Sequence, residues 1–236
     1  MHLYVIRHAD PSYNPDGLTE NGYKESEALA LKLKEVGVNK IFSSNMVRAK
    51  LTAAPTAKLL NLDININKWF MEPEELKIVQ DGKEYCIWDT YGETVRQSDK
   101  MPTADTWTEN FPFDNPRVIA SWDKFTAQCD EFMLSLGYKR VNGRFEVIKK
   151  NDDRIAIFTH NGTCLYFISY LLGIPLPLVF CGFYSWPSSV TDMYFDQRSD
   201  KWAVPRALCV ADTSHLYANK LKPQARGMGD YCPEFY

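Results

Sequence analysis

Leu3-Tyr4-Val5-Ile6 is an unbroken apolar run that closes on Arg7-His8-Ala9-Asp10, and Ile155-Ala156-Ile157-Phe158-Thr159 closes in the same way on His160. Continuous apolar runs of this length suit central parallel strands covered on both faces, whereas a strand with one wet face alternates. Both runs predict strands whose first polar side chains stand at the carboxyl end, where open α/β sheets bind ligands. After the first strand a turn-rich stretch, residues 11–17, leads to Thr19, an N-cap for a helix running to about Val36. Glu20, Lys24, Glu25 and Glu27 read as its solvated face. Residues 40–43 predict a second strand, and Ser44 an N-cap for a helix through Val47, Leu51, Ala54 and Leu59 that Pro55 would kink. Residues 62–66 read as a third strand.

In residues 81–117 the periodicity lapses, and aromatic residues mix with Gly, Pro, Thr and Asp. Long aperiodic segments inside compact domains are usually functional or mobile. A helix is predicted over about 116–136, a hairpin turn at Val141-Asn142-Gly143-Arg144, and a helix through Leu165, Ile168 and Leu172 that stops at Gly173. Residues 190–195 and 203–210 predict strands, the second near an edge because of Pro205. Strands alternating with helices argue for a parallel sheet with right-handed crossovers.

A length of 236 residues with 45% hydrophobic content suits one large core. The expectation is a single domain over 1–236, with 81–117 as an inserted lid. A net charge of −3 and a pI near 5.8 give no electrostatic case for nucleic acid or an anionic membrane. The apolar stretches, such as 165–178, are too short and broken to span a bilayer. Met1 leads straight into the first strand, so no leader is expected and the location is read as cytoplasmic. Cys86, Cys129, Cys164, Cys181, Cys209 and Cys232 lack CxxC or zinc-ligand spacing and read as reduced and structural.

Arg7, His8, the Ser43-Ser44 pair, Arg48 one turn on and His160 all fall at predicted strand ends. Two guanidinium forks and two imidazoles converging on one crevice make an anion site, and a phosphoryl group suits it. A neutral imidazole there is a nucleophile able to carry that group covalently.

These residues resemble the histidine phosphatase superfamily, the phosphoglycerate-mutase-like proteins. Arg7-His8-Ala9 with Asn14 is similar to the family's Arg-His-Gly motif and downstream asparagine, and Gly17-Leu18-Thr19 with Gly22 to its entry into the first helix. Ser43-Ser44-Asn45-Met46-Val47-Arg48-Ala49 with Thr52-Ala53 is similar to its Ser-Ser-x-x-x-Arg-Ala block. Phe70-Met71-Glu72 matches the position of its acid, Thr159-His160-Asn161-Gly162 that of its second histidine, and Asp212-Thr213-Ser214-His215-Leu216 the ending of many bacterial members. The resemblance covers residues 1 to about 75 and 150–217 and points to the bacterial-type phosphatase branch.

The resemblance implies a three-layer α/β/α sandwich with a mostly parallel central sheet. It also implies a metal-independent hydrolase, a phosphomonoesterase of histidine acid phosphatase type working through a phosphohistidine without a cofactor. His8 is then the nucleophile, Arg7, Arg48 and His160 neutralise the phosphoryl oxygens, and Glu72 is the general acid and base, with Glu74, Glu75 and Glu93 as alternatives. Asn14, Asn161, Trp107 and Phe111 are candidate substrate contacts, the last two as lid aromatics beside Trp88, Tyr91 and Phe113. The lid's surplus of acids predicts a preference for monophosphates over bisphosphates. His215 is expected to pack or cap, and His2 to have no chemical role. The expected partner is a small phosphorylated metabolite, with no nucleic acid or membrane; a homodimer is compatible with the reading. A mutase is the alternative enzyme, disfavoured because Pro73-Glu74-Glu75-Leu76-Lys77 replaces the Glu-Arg-His-Tyr-Gly stretch usual after the acid. A non-catalytic phosphate-sensing domain is the alternative of another class.

Overall fold

The two apolar runs that end in histidines lie side by side. In the computed structural model, which describes residues 1–72, 76–80, 82–97 and 101–227, β1 (His2–Arg7) pairs in parallel with β10 (Arg154–Thr159). Leu3 stands opposite Ile155 and Arg7 opposite Thr159, so His8 and His160 leave the sheet at the same level. Between these strands the chain forms β2 (Pro11–Tyr13), β3 (Asp16–Leu18), α1 (Glu20–Glu35), β4 (Lys40–Ser43), α2 (Val47–Leu60), β5 (Ile64–Ile66), β6 (Lys77–Gln80), β7 (Lys83–Cys86), α3 (Gly92–Arg96), α4 (Pro116–Ser135), β8 (Tyr138–Val141) and β9 (Arg144–Val147). After β10 come α5 (Asn161–Leu172), α6 (Leu176–Gly182), β11 (Val190–Asp196), β12 (Trp202–Asp212) and α7 (Ser214–Ala218).

The main sheet has the order β5-β4-β10-β1-β11-β12-β9-β8. The block from β5 to β1 is parallel, and β11, β12, β9 and β8 continue it antiparallel. The site sits at the carboxyl ends of the parallel block. Alternate residues of β1 and β10 face two separate cores. Tyr4, Ile6, Ala156 and Phe158 pack with Leu29 and Leu33 of α1 and Ala53 and Ala57 of α2. Leu3, Val5, Ile155 and Ile157 join Phe125 and Phe132 of α4, Phe167 of α5 and Val179 of α6. Helices on both faces make three layers, and each fully buried Leu, Ile or Phe contributes about 1.5–3 kcal/mol.

Local chemistry explains the boundaries. Thr19 caps α1 by accepting from Gly22 N at 3.0 Å, and α5 stops at Gly173, whose φ is +66°. The Asn142-Gly143 turn has φ of +49° and +76° between β8 and β9, as its dipeptide predicts. Pro205 lies where β12 pairs only with β11, since β9 reaches just Trp202 and Ala203. Helix α2 continues across Pro55.

Four expectations are corrected. Residues 11–17 are not a loop throughout but carry the β2–β3 hairpin. Ser44 is not the N-cap of α2; Met46 is, and Ser44 turns to His160. Glu25 is not on a solvated face: it is buried, accepting from Asp10 N at 2.9 Å and Asn21 Nδ2 at 2.7 Å, and burial pushes its carboxyl up to about 7. The described part of 81–117 holds β7, paired with β6, two 3₁₀ turns over 87–89 and 107–109, and α3, elements too short to show a period. Among the described residues the five cysteines 86, 129, 164, 181 and 209 are free; Cys232 lies outside them. No helix of the described residues is long and apolar enough to cross a membrane.

Candidate active site

The nucleophile candidate is held by its own neighbour. His8 is buried, and its Nδ1 lies 2.8 Å from the Ala9 carbonyl, which only accepts. The proton of a neutral His8 therefore sits on Nδ1, and the Nε2 lone pair is free for chemistry. Ala9 N donates to Thr52 Oγ1 at 2.9 Å, and Ala9 is not among the residues of positive φ, so alanine meets no strain there. Gly22 packs so tightly beneath this loop that a Cβ on it would stand 2.2 Å from the Asp10 carbonyl oxygen.

His160 faces His8 edge-on, with ring centroids 5.1 Å apart. It ends β10, its Nε2 lies 2.9 Å from Ser44 Oγ, and its Nδ1 is 3.9 Å from Glu72 Oε2. Burial and the Arg48 and Arg7 guanidinium groups hold the His160 pKa well below the usual imidazole value; burial, His160 and Arg7 do the same for His8. Both rings are neutral at neutral pH.

Arg7 donates through Nη1 to the Ser185 carbonyl at 2.7 Å and to Tyr184 Oη at 3.2 Å, and through Nη2 to the Arg226 carbonyl at 3.3 Å. Arg48, on the first turn of α2, is fixed by Asp16 at 2.9 Å. What remains is informative. Arg7 Nε, Arg48 Nε and His160 Nδ1 are buried and have no hydrogen-bond partner among the described residues. An unmade bond at a buried polar atom costs on the order of 1–3 kcal/mol, so two guanidinium donors and an imidazole nitrogen left open around one histidine form a cradle suited to an anion. The amino end of α5 adds its partial positive charge.

Glu72 follows the 3₁₀ turn at Lys68–Phe70, and its Oε1 accepts from Gly162 N at 2.5 Å. Gly162 lies under two side chains: a Cβ there would stand 2.5 Å from Trp88 Cε3 and 2.9 Å from Glu72 Oε1, so one of them would have to shift. Glu74 and Glu75, the alternative acids, lie outside the described residues, and Glu93 is exposed on α3.

Of the substrate contacts expected, Asn161 is at the site, its Oδ1 accepting from Ser185 N at 3.3 Å. Asn14 is exposed at the tip of the β2–β3 hairpin, where Asp16 is the residue that reaches the cluster. Trp107 is not brought there: it is buried against Phe113 and Trp122. Phe111 is 54% exposed. His215 is buried with Nε2 3.1 Å from Ser188 Oγ, while Ser188 N donates to the His8 carbonyl, so it packs behind the nucleophile loop. His2 pairs with Asp192 at 2.9 Å.

Sequence reasoning missed Asp16, Tyr184, Arg226 and Asp89. Arg226 lends its carbonyl to Arg7 and its guanidinium to Asp10 at 2.5 Å. Asp89, the last residue of the 3₁₀ turn that follows β7, is pushed up to about 7 by burial and the Glu72 charge.

A model of the histidine phosphatase superfamily (branch 1) matches residues 3–201. Phosphoserine phosphatase 1 of Hydrogenobacter thermophilus is 26% identical over 185 residues, 74% of this chain and 77% of that protein. The crystal structure of phosphoserine phosphatase from Entamoeba histolytica with 3-phosphoglyceric acid superposes with a TM-score of 0.61 at 18% identity, covering 91% and 98% of the two chains. Mycobacterial glucosyl-3-phosphoglycerate phosphatase with inorganic phosphate gives 0.58 at 17% identity, again over 91% and 98%. Both structures show the shared fold.

Proposed function

The chain belongs to the histidine phosphatase superfamily (branch 1), and from that premise we propose that this phosphatase hydrolyses a small phosphomonoester through a phosphoryl group carried on His8. The observation that supports the reading is the set of partnerless buried nitrogens, Arg7 Nε, Arg48 Nε and His160 Nδ1, around an imidazole whose Nε2 is free. The relatives' names, phosphoserine phosphatase and glucosyl-3-phosphoglycerate phosphatase, support a small phosphoester as substrate.

In the first step the His8 Nε2 lone pair forms the N–P bond as the ester P–O bond breaks. Glu72, protonated, gives its proton to the departing alkoxide oxygen. The two guanidinium groups carry the charge on the phosphoryl oxygens, the main demand of phosphoryl transfer. A His160 that accepts from Ser44 at Nε2 holds its proton on Nδ1, toward the same oxygens. In the second step Glu72 takes a proton from water, whose oxygen attacks phosphorus, and the N–P bond returns its electrons to Nε2. Alcohol and inorganic phosphate are the products. Positive charge comes from side chains, so the reading expects no metal in the cycle. Turnover of an aryl phosphate in excess EDTA, lost in His8→Ala, tests it; an active His8→Ala, or activity restored only by added metal, overturns it.

A further inference from the structure

Glu25 is wholly buried in the second turn of α1 and takes no part in the steps above. A carboxyl group removed from water is costly unless its oxygens are satisfied, so its partners show what it is there for. Oε2 accepts from the Asp10 amide at 2.9 Å and Oε1 from Asn21 Nδ2 at 2.7 Å, and the Ser188 hydroxyl is near enough to donate as well. Two of these partners hold the nucleophile loop. The Asp10 amide belongs to the same peptide group as the Ala9 carbonyl, and that carbonyl receives the proton of His8 Nδ1 at 2.8 Å. Ser188 N donates to the His8 carbonyl at 3.1 Å. The helix is shaped for the contact: Gly22, three residues before Glu25 on the same face, lets α1 approach the Asp10 peptide, and Thr19 N donates to the Asp10 carbonyl at 3.0 Å.

One planar peptide group thus stands between Glu25 and His8. The carboxyl oxygen engages its N–H edge and the imidazole its C=O edge, so the plane of the peptide, and with it the ring, is held from behind. Hydrogen bonds in line polarise one another, and a peptide whose N–H is engaged presents a stronger acceptor at its carbonyl. The demand on that acceptor rises in the reaction, because the ring gains positive charge as Nε2 takes the phosphoryl group and Nδ1–H becomes a charge-assisted donor. We infer that Glu25 is a positioning residue for the nucleophile, fixing the tautomer and the aim of His8 through the Ala9–Asp10 peptide. The inference rests on the phosphatase reading above and adds to it a group that acts through a peptide rather than on the substrate. What the role requires is an acceptor oxygen. Oε2 serves the Asp10 amide whether the carboxyl is ionised or carries a proton on Oε1, to which Asn21 can turn its amide oxygen, so the hold on His8 persists on both sides of that ionisation.

The test joins rapid-quench kinetics to nitrogen NMR. The rate of His8 phosphorylation by p-nitrophenyl phosphate is measured in wild type, Glu25→Gln, Glu25→Leu and Glu25→Asp, comparing variants that keep the wild-type circular dichroism spectrum. Proton–nitrogen correlation spectra of the imidazole rings report the tautomer of His8, whose signals are identified by their loss in His8→Ala. The wild type should carry the His8 proton on Nδ1. Glu25→Gln, whose amide oxygen can still accept from Asp10 N, should phosphorylate within about threefold of wild type and keep that tautomer. Glu25→Leu fills the volume without an acceptor, and Glu25→Asp keeps the carboxylate but falls a methylene short. Each should be about ten- to a hundredfold slower at saturating substrate, the usual cost of losing a group that orients a histidine from behind. Half-saturation should stay within about twofold, and His8 should spread over both tautomers. A wild-type His8 that is not protonated on Nδ1 overturns the inference whether or not the variants fold. Equal rates in wild type and Glu25→Leu, equal losses in Glu25→Gln and Glu25→Leu, or a loss with the tautomer unchanged overturn it too, and each leaves the phosphatase reading standing. A wild type in which His8 is not phosphorylated defeats both.

Discussion

Gly162 gives its backbone amide to Glu72 Oε1 at 2.5 Å, two residues after His160, so the acid and the second histidine are set by one helix start. The bond orients Oε1 and leaves Oε2 on the His160 side, 3.9 Å from Nδ1. Glu72→Gln should lower turnover of an alkyl phosphate about 10²- to 10⁴-fold, roughly 3–5 kcal/mol of barrier, and cost far less in the first step with an activated aryl phosphate. Gly162→Ala should show the same selective loss in milder form, because its methyl displaces Glu72 or Trp88. Equal losses for both ester types in single-turnover assays would show that Glu72 is not the acid.

The histidine environment sets the acid side of the pH profile. A depressed pKa keeps His8 neutral as pH falls through 6.5, and attack fails only below the depressed value. The kcat/KM profile, corrected for the substrate's own ionisation, should show no loss of activity between pH 7 and 6, since His8 stays neutral and the general acid is only more protonated there. Half-loss at pH 6.5 in a folded protein would contradict the assignment.

Asp89 titrates near neutrality for a different reason. Its pKa is raised to about 7, so the fold prefers the protonated form, and ionisation lowers stability progressively as pH rises from about 4 to 7. Asp89→Asn should melt higher than wild type at pH 8 and equally at pH 4, as followed by circular dichroism. An equal difference at both pH values would mean that the charge is not what matters there.

The aromatic residues of 81–117 divide by burial. Trp107→Ala removes a ring packed on Phe113 and Trp122 and should cost about 3–5 kcal/mol in urea unfolding. Phe111→Ala removes an exposed ring and should stay within about 0.5 kcal/mol. A reversed order would place Phe111, not Trp107, against the core. Whether this segment acts as a lid is a separate proposal, answered by the KM of each variant.

Strand ends were legible because two apolar runs terminate abruptly in polar residues, and that alone brings Arg7, His8 and His160 to one level. Helix α1 was legible through Thr19 and its cap. Glu25 was misread because charge type says nothing of the Asp10 amide that it satisfies inside the fold. Asp16, Tyr184 and Arg226 act on the arginines across 32, 177 and 219 positions of sequence, and no local pattern marks such pairs. Trp107 and Phe111 looked alike in a segment without periodicity, and only packing separates them.

The central claim is that the phosphoryl group passes through His8. Rapid quenching of the enzyme with substrate labelled in the phosphoryl group, followed by peptide mapping, tests it most directly. An acid-labile, base-stable phosphoryl adduct on His8, absent from His8→Ala, is the predicted result; an adduct that persists in His8→Ala, or maps to another residue, would contradict it.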